Sequence, residues 1–159
     1  MMSDNRRSGF SFPMKLLLFS AAAAGLTYVV RQQRRMDFMG KTVLIAGASR
    51  GLGLELARAF AREGANLALL ARDEARLREA ARELGELGVR VWVHACDISK
   101  EDQVRESVSA ILKETERIEI LVNNAGIIQV GPVEVMASDD YEKSMGVHFW
   151  GPLYLMREV

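Results

Sequence analysis

Three closely spaced glycines carry the clearest chemical signal in this chain of 159 residues. Gly47, Gly51 and Gly53 follow a short apolar run and precede a segment with helical spacing. The first glycine allows a sharp turn, the second lets a pyrophosphate approach the backbone, and the third lets helix and strand pack closely. The start of the helix adds free N–H groups and the positive end of its dipole. This pattern is typical of dinucleotide binding, and a Walker-type phosphate loop is excluded because no Gly-Lys-Ser/Thr follows. The predicted cofactor-binding residues of this loop are Gly47, Ser49, Arg50, Gly51, Leu52 and Gly53.

The elements that must position this loop alternate between strands and helices. Apolar runs at residues 42–46, 66–71, 89–96 and 118–123 predict four buried strands. The segments between them carry apolar residues at helical spacing. This alternation predicts an α/β domain over residues 40–159 with a doubly wound, Rossmann-type parallel sheet covered on both faces. Four strands are only part of such a sheet, so we expect a domain that is incomplete at its C-terminus.

The helix starts are predicted from capping residues. Asp73 is expected to cap the second helix, and Ser138 a last helix that runs towards the terminus. Ser99 and Asp102 resemble a capping box before the third helix. The single cysteine, Cys96, lies in an apolar run and is expected to be a buried, inert thiol.

Two further motifs establish a resemblance. Asp97-Ile98 follows the third predicted strand, and Asn123-Asn124-Ala125-Gly126 ends the fourth. With the glycine loop, these motifs make residues 40–159 resemble the short-chain dehydrogenase/reductase family. The resemblance implies an NAD(P)-binding domain and hydride transfer between a nicotinamide dinucleotide and a small carbonyl or alcohol substrate. It also implies that Asp97 and Ile98 flank the adenine, and that Asn124, Ala125 and Gly126 line the ribose and nicotinamide side.

The form of the cofactor is predicted from charge. An NAD site places a carboxylate at the end of the second strand to hold the ribose 2′-hydroxyl. Here Ala71 takes that place, Arg72 comes next, and Arg50 lies inside the glycine loop. Two guanidinium groups would bind a 2′-phosphate by charge-assisted hydrogen bonds, so NADP(H) is favoured over NAD(H).

The family's proton-transfer residues have no match in the sequence. The resemblance calls for a serine, a tyrosine and a lysine four residues after that tyrosine, and the chain contains no Tyr-x3-Lys. We therefore expect the chain to be the amino-terminal part of a longer enzyme, inactive by itself. His148 aligns with an asparagine of the family's proton relay, and a relay role and a packing role are both open. Tyr141, Lys143 and Ser144 are expected to be surface or packing residues.

The N-terminal 39 residues contain a predicted membrane anchor. A basic flank, residues 1–15, precedes an uncharged run, residues 16–30, and a basic linker, residues 31–39. We expect an N-terminal apolar helix that serves as a single-pass anchor and places the protein at a membrane. The side of the membrane stays open, because the two flanks of the helix carry balanced charges. A cleaved signal peptide and an interfacial or buried helix are the alternatives.

Composition limits the remaining functions. The chain holds 21 basic and 21 acidic residues, which argues against nucleic-acid binding. One cysteine excludes a multi-cysteine metal site, and we predict no bound metal. The leading hypothesis is an NADP(H)-dependent oxidoreductase. The alternatives are a non-catalytic dinucleotide-binding module and an interaction protein, and the apolar last helix could mediate homo-oligomer formation.

Overall fold

Four parallel strands form the centre of the domain in the computed structural model, which describes residues 36–159. In chain order they are β1 (Thr42–Ala46), β2 (Asn66–Ala71), β3 (Val91–Ala95) and β4 (Ile120–Asn123). Their order across the sheet is β3-β2-β1-β4. The chain places β2 and β3 on one side of β1 and β4 on its other side. This switch from one side to the other leaves a crevice between β1 and β4 at the carboxyl ends of the strands.

The central strand, β1, is buried along its whole length. Ile45 lies opposite Leu69 of β2 and Val122 of β4, so β1 is hydrogen-bonded on both sides. Its apolar side chains alternate between the two faces of the sheet. The chain leaves β1 at Ala46, directly before the glycine loop, and the loop therefore starts from the most deeply buried strand of the domain.

Helices cover both faces of this sheet, as the sequence predicts. The helices are α1 (Gly51–Arg62), α2 (Glu74–Gly85), α3 (Glu101–Thr115), α4 (Ser138–Met145) and α5 (Gly151–Glu158). A 3₁₀ turn (Val133–Val135) precedes α4, and a π-helical turn (Gly146–Trp150) joins α4 to α5.

Two apolar cores result, one on each face. On the first face, Ala57 of α1 and Leu77 of α2 pack in the same core as Ile45. On the second face, Ile111 of α3 and Leu155 of α5 pack with Leu44. Burial of these side chains supplies the main favourable term for folding and fixes the helix starts relative to the strand ends.

The predicted bounds of β1 and β2 are confirmed, whereas β3 and β4 each begin two residues later than predicted and β3 ends one residue earlier. Just before β4, Glu119 accepts a hydrogen bond from the Thr42 N–H through its side chain, with an N···O distance of 2.7 Å. Apolar composition alone could not place these starts, because Val89 and Ile118, two residues before the strands, are apolar and partly buried as well. The predicted single last helix is also corrected, since the π-helical turn interrupts it.

The helix caps agree only in part with prediction. Asp73 caps α2, and its Oδ1 accepts from the N–H of Arg76 at 3.1 Å. The predicted capping box at Ser99 is wrong, because the Asp97 carboxylate binds both the N–H and the hydroxyl of Ser99, at 3.1 and 2.8 Å. Helix α3 then follows Lys100, which makes no side-chain cap.

The predicted cap of α4 is wrong as well. Ser138 is the first residue of the helix, and the residue before it, Ala137, has no side chain that can cap. The Asp140 carboxylate instead accepts a hydrogen bond from the Ala137 N–H at 3.2 Å.

The predicted membrane localisation is corrected. Within residues 36–159, no helix is long and apolar enough to cross a bilayer. The run at residues 16–30, to which the sequence assigns the apolar helix and anchor, lies outside the described residues.

Candidate functional site

A cavity of about 870 Å³ lies at the carboxyl edge of the sheet. Its volume is in the range of small-molecule and cofactor sites, about 300–1,000 Å³. Nearly all of the binding residues predicted from the sequence lie on its wall. They are Gly47, Ser49, Arg50, Gly51, Leu52, Arg72, Asp97, Ile98, Asn124, Ala125 and Gly126. The exception is Gly53, which lies behind the loop.

The glycine loop is shaped by contacts that only glycine permits. Gly47 has a φ of +77°, and a Cβ on it would lie 2.8 Å from the Cα of Ala125. Gly51 has a φ of +58° and open space beside it, since a Cβ added there would have no heavy atom within 4 Å. A Cβ on Gly53 would lie 2.2 Å from the carbonyl oxygen of Gly47. Gly47 and Gly53 therefore allow close packing, and Gly51 keeps the cavity side of the loop clear.

The start of α1 can receive an anion. Arg50 is its N-cap residue, and no side chain caps the first turn. The first turn also contains no acidic residue. Uncapped N–H groups and the positive end of the helix dipole favour a phosphate at this position.

Asn124 ties the end of β4 to the glycine loop. Its side-chain amide nitrogen donates to the carbonyl oxygens of Gly47 at 3.2 Å and Ala46 at 3.3 Å. This pair of bonds holds two strand ends together beside the cavity. Sequence reasoning assigns Asn124 only a ligand-lining role and misses this structural one, because the partners lie more than 75 residues away along the chain.

The cavity wall next to the end of β2 is rich in arginine. Arg50 and Arg72 line it, as does Arg76, which the sequence analysis does not select. Within residues 36–159, neither Arg50 nor Arg72 forms an ion pair. The Nε of Arg76 pairs with the Asp73 carboxylate at 3.2 Å. Arg76 could have been found from its position three residues after the cap residue Asp73, which places it on the first turn of α2.

Cys96 is buried, as predicted, with 2% of its surface exposed, although it contributes to the cavity wall. Burial raises the pKa of its thiol, the Asp97 charge also raises it, and a hydrogen bond with Ser107 opposes both. The thiol therefore stays protonated near neutral pH and is a poor nucleophile.

His148 lies in the π-helical turn and also lines the cavity. Its Nε2 is 2.8 Å from the carbonyl oxygen of Ile127 and 3.3 Å from the Ile127 nitrogen. A Cβ on Gly126 would lie 2.9 Å from the His148 ring. The histidine thus packs against the loop after β4, and its relay role stays a prediction. Tyr141, Lys143 and Ser144 lie on α4 outside the cavity wall.

This fold agrees with comparisons against known proteins. The family model for short chain dehydrogenases matches residues 41–159. Over 123 residues, the chain is 40% identical to 11-beta-hydroxysteroid dehydrogenase A of Sesamum indicum, a match that covers 76% of this chain and 35% of that protein. The protein therefore belongs to the short-chain dehydrogenase family of oxidoreductases.

Solved structures give the same result. L-sorbose reductase from Gluconobacter frateurii, complexed with NADPH and L-sorbose, matches with a TM-score of 0.75 and 35% identity, over 78% of this chain and 48% of that one. An NAD⁺-bound xylitol dehydrogenase matches with a TM-score of 0.74 and 30% identity, over 78% and 48%. The chain thus spans about a third to a half of the length of these relatives, and nicotinamide cofactors of both forms occur among them.

Proposed function

We propose that this chain is the cofactor-binding part of an NADP(H)-dependent oxidoreductase that transfers hydride between the nicotinamide and a small carbonyl or alcohol. The observation that supports the proposal is the set of residues that line one cavity. This cavity is lined by the glycine loop, by the loop after β4, and by Arg50 and Arg72, which form no ion pair within residues 36–159.

The residues present fit a nicotinamide dinucleotide. The open side of Gly51 and the uncapped start of α1 would receive the pyrophosphate. Asp97 and Ile98 would flank the adenine, and Asn124–Gly126 would line the nicotinamide side. When bound, the cofactor supplies the hydride. The chain's own residues would bind and orient it.

The preference for NADP(H) follows from charge at the end of β2. Ala71 supplies no carboxylate to hold a ribose 2′-hydroxyl, while Arg72 and Arg50 offer two guanidinium groups that form no ion pair in the described part of the chain. A guanidinium group binds a phosphate through paired, charge-assisted hydrogen bonds. A doubly charged 2′-phosphate would therefore gain more from this wall than a neutral hydroxyl would.

The experiment is a titration of the full chain with NADPH and with NADH, followed by fluorescence of the reduced nicotinamide. NADPH should bind at least about tenfold more tightly than NADH. Arg72→Ala should remove most of this difference by weakening NADPH binding alone. Arg82→Ala, an exposed arginine of α2 that does not line the cavity, is the matched control and should change neither affinity. Equal affinities of the unmutated protein for both cofactors would refute the NADP(H) preference.

A further inference from the structure

A carboxylate lies within the arginine-rich wall of the cavity. Asp73 lines the cavity together with Arg72 and Arg76, directly after the residues that end β2. About half of its side chain is exposed, so its charge is not buried away from a ligand. A negative charge beside the proposed 2′-phosphate site would oppose NADP(H) binding by simple Coulomb repulsion.

Arg76 binds the Asp73 carboxylate in two ways. Its backbone N–H donates to Asp73 Oδ1 at 3.1 Å, and its side-chain Nε pairs with Asp73 Oδ2 at 3.2 Å. Both carboxylate oxygens are therefore held by one residue, on the first turn of α2. The pair as a whole is neutral, so the remaining guanidinium and carboxylate groups on the cavity wall are those of Arg50 and Arg72, at the ends of β1 and β2, and of Asp97 after β3.

We propose that Arg76 is a positioning residue for cofactor specificity, which holds and neutralises the Asp73 carboxylate so that it does not repel the 2′-phosphate of NADP(H). The inference rests on the proposed function. It adds a residue that acts through Asp73 rather than on the cofactor itself. The two residues together decide whether the end of β2 presents a net positive or a mixed charge.

The test uses charge-matched variants of the full chain. Arg76→Gln leaves Asp73 unpaired and should weaken NADPH binding by about fivefold, with less than about a twofold change for NADH. Asp73→Asn keeps a side chain that can cap α2 and should leave NADPH binding equal or tighter. The double variant restores a neutral pair and should return NADPH affinity to within about twofold of the unmutated protein.

Arg78→Gln is the matched control, because Arg78 lies on the same helix, pairs with Glu74 and is absent from the cavity wall. It should leave both affinities unchanged. A purely structural role of Arg76 would weaken NADPH and NADH equally, and that result would overturn the inference. Persistence of the full NADPH loss in the double variant would also overturn it, since Arg76 would then contact the phosphate directly. Failure of the proposed function is separate, because it would appear as unmutated protein that does not prefer NADPH and does not respond to Arg72→Ala.

Discussion

The glycines of the loop serve different purposes. Gly51 faces open space, whereas Gly47 and Gly53 are places where two backbone segments meet. The clearest case is Gly53, whose missing side chain lets α1 start against the carbonyl of Gly47 and the amide of Asn124. At the residue scale, the loop is held together by packing as much as it is shaped for a ligand.

Gly53→Ala should therefore destabilise the domain. The added methyl group would lie 2.2 Å from the Gly47 oxygen and 2.5 Å from the Asn124 amide nitrogen, so the helix start and the loop must separate. Overpacking of this kind costs about 1–3 kcal/mol of unfolding free energy. Urea unfolding followed by circular dichroism measures this loss.

Gly85→Ala is the matched control for this substitution. Gly85 is the last residue of α2, and a Cβ there would have no heavy atom within 4 Å. Alanine is the better helix former by about 1 kcal/mol, so this variant should be unchanged or slightly more stable. A Gly53→Ala variant as stable as the Gly85→Ala variant would contradict the close packing at the helix start.

At the scale of elements, two helices on one face of the sheet are joined by an ion pair. Arg58 of α1 binds Glu83 of α2 through two nitrogens, at 2.5 and 2.8 Å, and also pairs with Glu55 of its own helix. The hydrogen bond with Arg58 lowers the pKa of Glu83 below its ordinary value, against a smaller opposing effect of burial. The stability contributed by the pair is thus present above the ordinary carboxyl pKa, and it is lost as the pH falls through the lowered value.

Glu83→Gln should lower the thermal midpoint at pH 7 by a few degrees at most, since about half of the Glu83 side chain and a quarter of the Arg58 side chain are exposed to solvent. As the pH falls through the lowered pKa of Glu83 the difference should shrink, because Glu83 of the unmutated protein then becomes protonated. Thermal unfolding at pH 7 and at a series of acid pH values measures the change. Glu86→Gln, an exposed position just after α2, is the control and should show no such pH dependence. A difference that grows towards acid pH would contradict the stabilising ion pair.

The elements also show how far sequence reasoning reaches. Strands β1 and β2 can be placed because they are almost wholly buried. Lys41 and Gly47 bound the apolar run of β1, and Arg72 marks the end of β2. The hydrogen bonds of Asp97 and the π-helical turn at Gly146–Trp150 escape prediction. In both places, several polar or backbone groups lie close enough to form a hydrogen bond with the same residue. Tertiary contacts decide which of these bonds forms.

At the scale of the whole molecule, the site is predictable because short motifs at four strand ends converge at one edge of a parallel sheet. Arg76 and the bonds of Asn124 are not found in this way, since neither follows a motif of its own. His148 is singled out only through the resemblance. Its contact with Ile127 shows how it packs and leaves its chemistry to experiment.

The last prediction concerns turnover by a polypeptide of residues 1–159. Reduction of a carbonyl needs a proton donor within hydrogen-bond reach of the developing alkoxide, and such a donor contributes about 10²–10⁴-fold to the rate. The family resemblance assigns this role to a tyrosine with a lysine four residues later, a pattern that these residues do not contain. We therefore expect no oxidation of NADPH above background with simple ketones or aldehydes, measured by the absorbance of the reduced nicotinamide.

A His148→Ala variant is assayed in parallel. Clear turnover that this variant abolishes would refute the prediction and identify His148, on the cavity wall beside Gly126, as the proton donor.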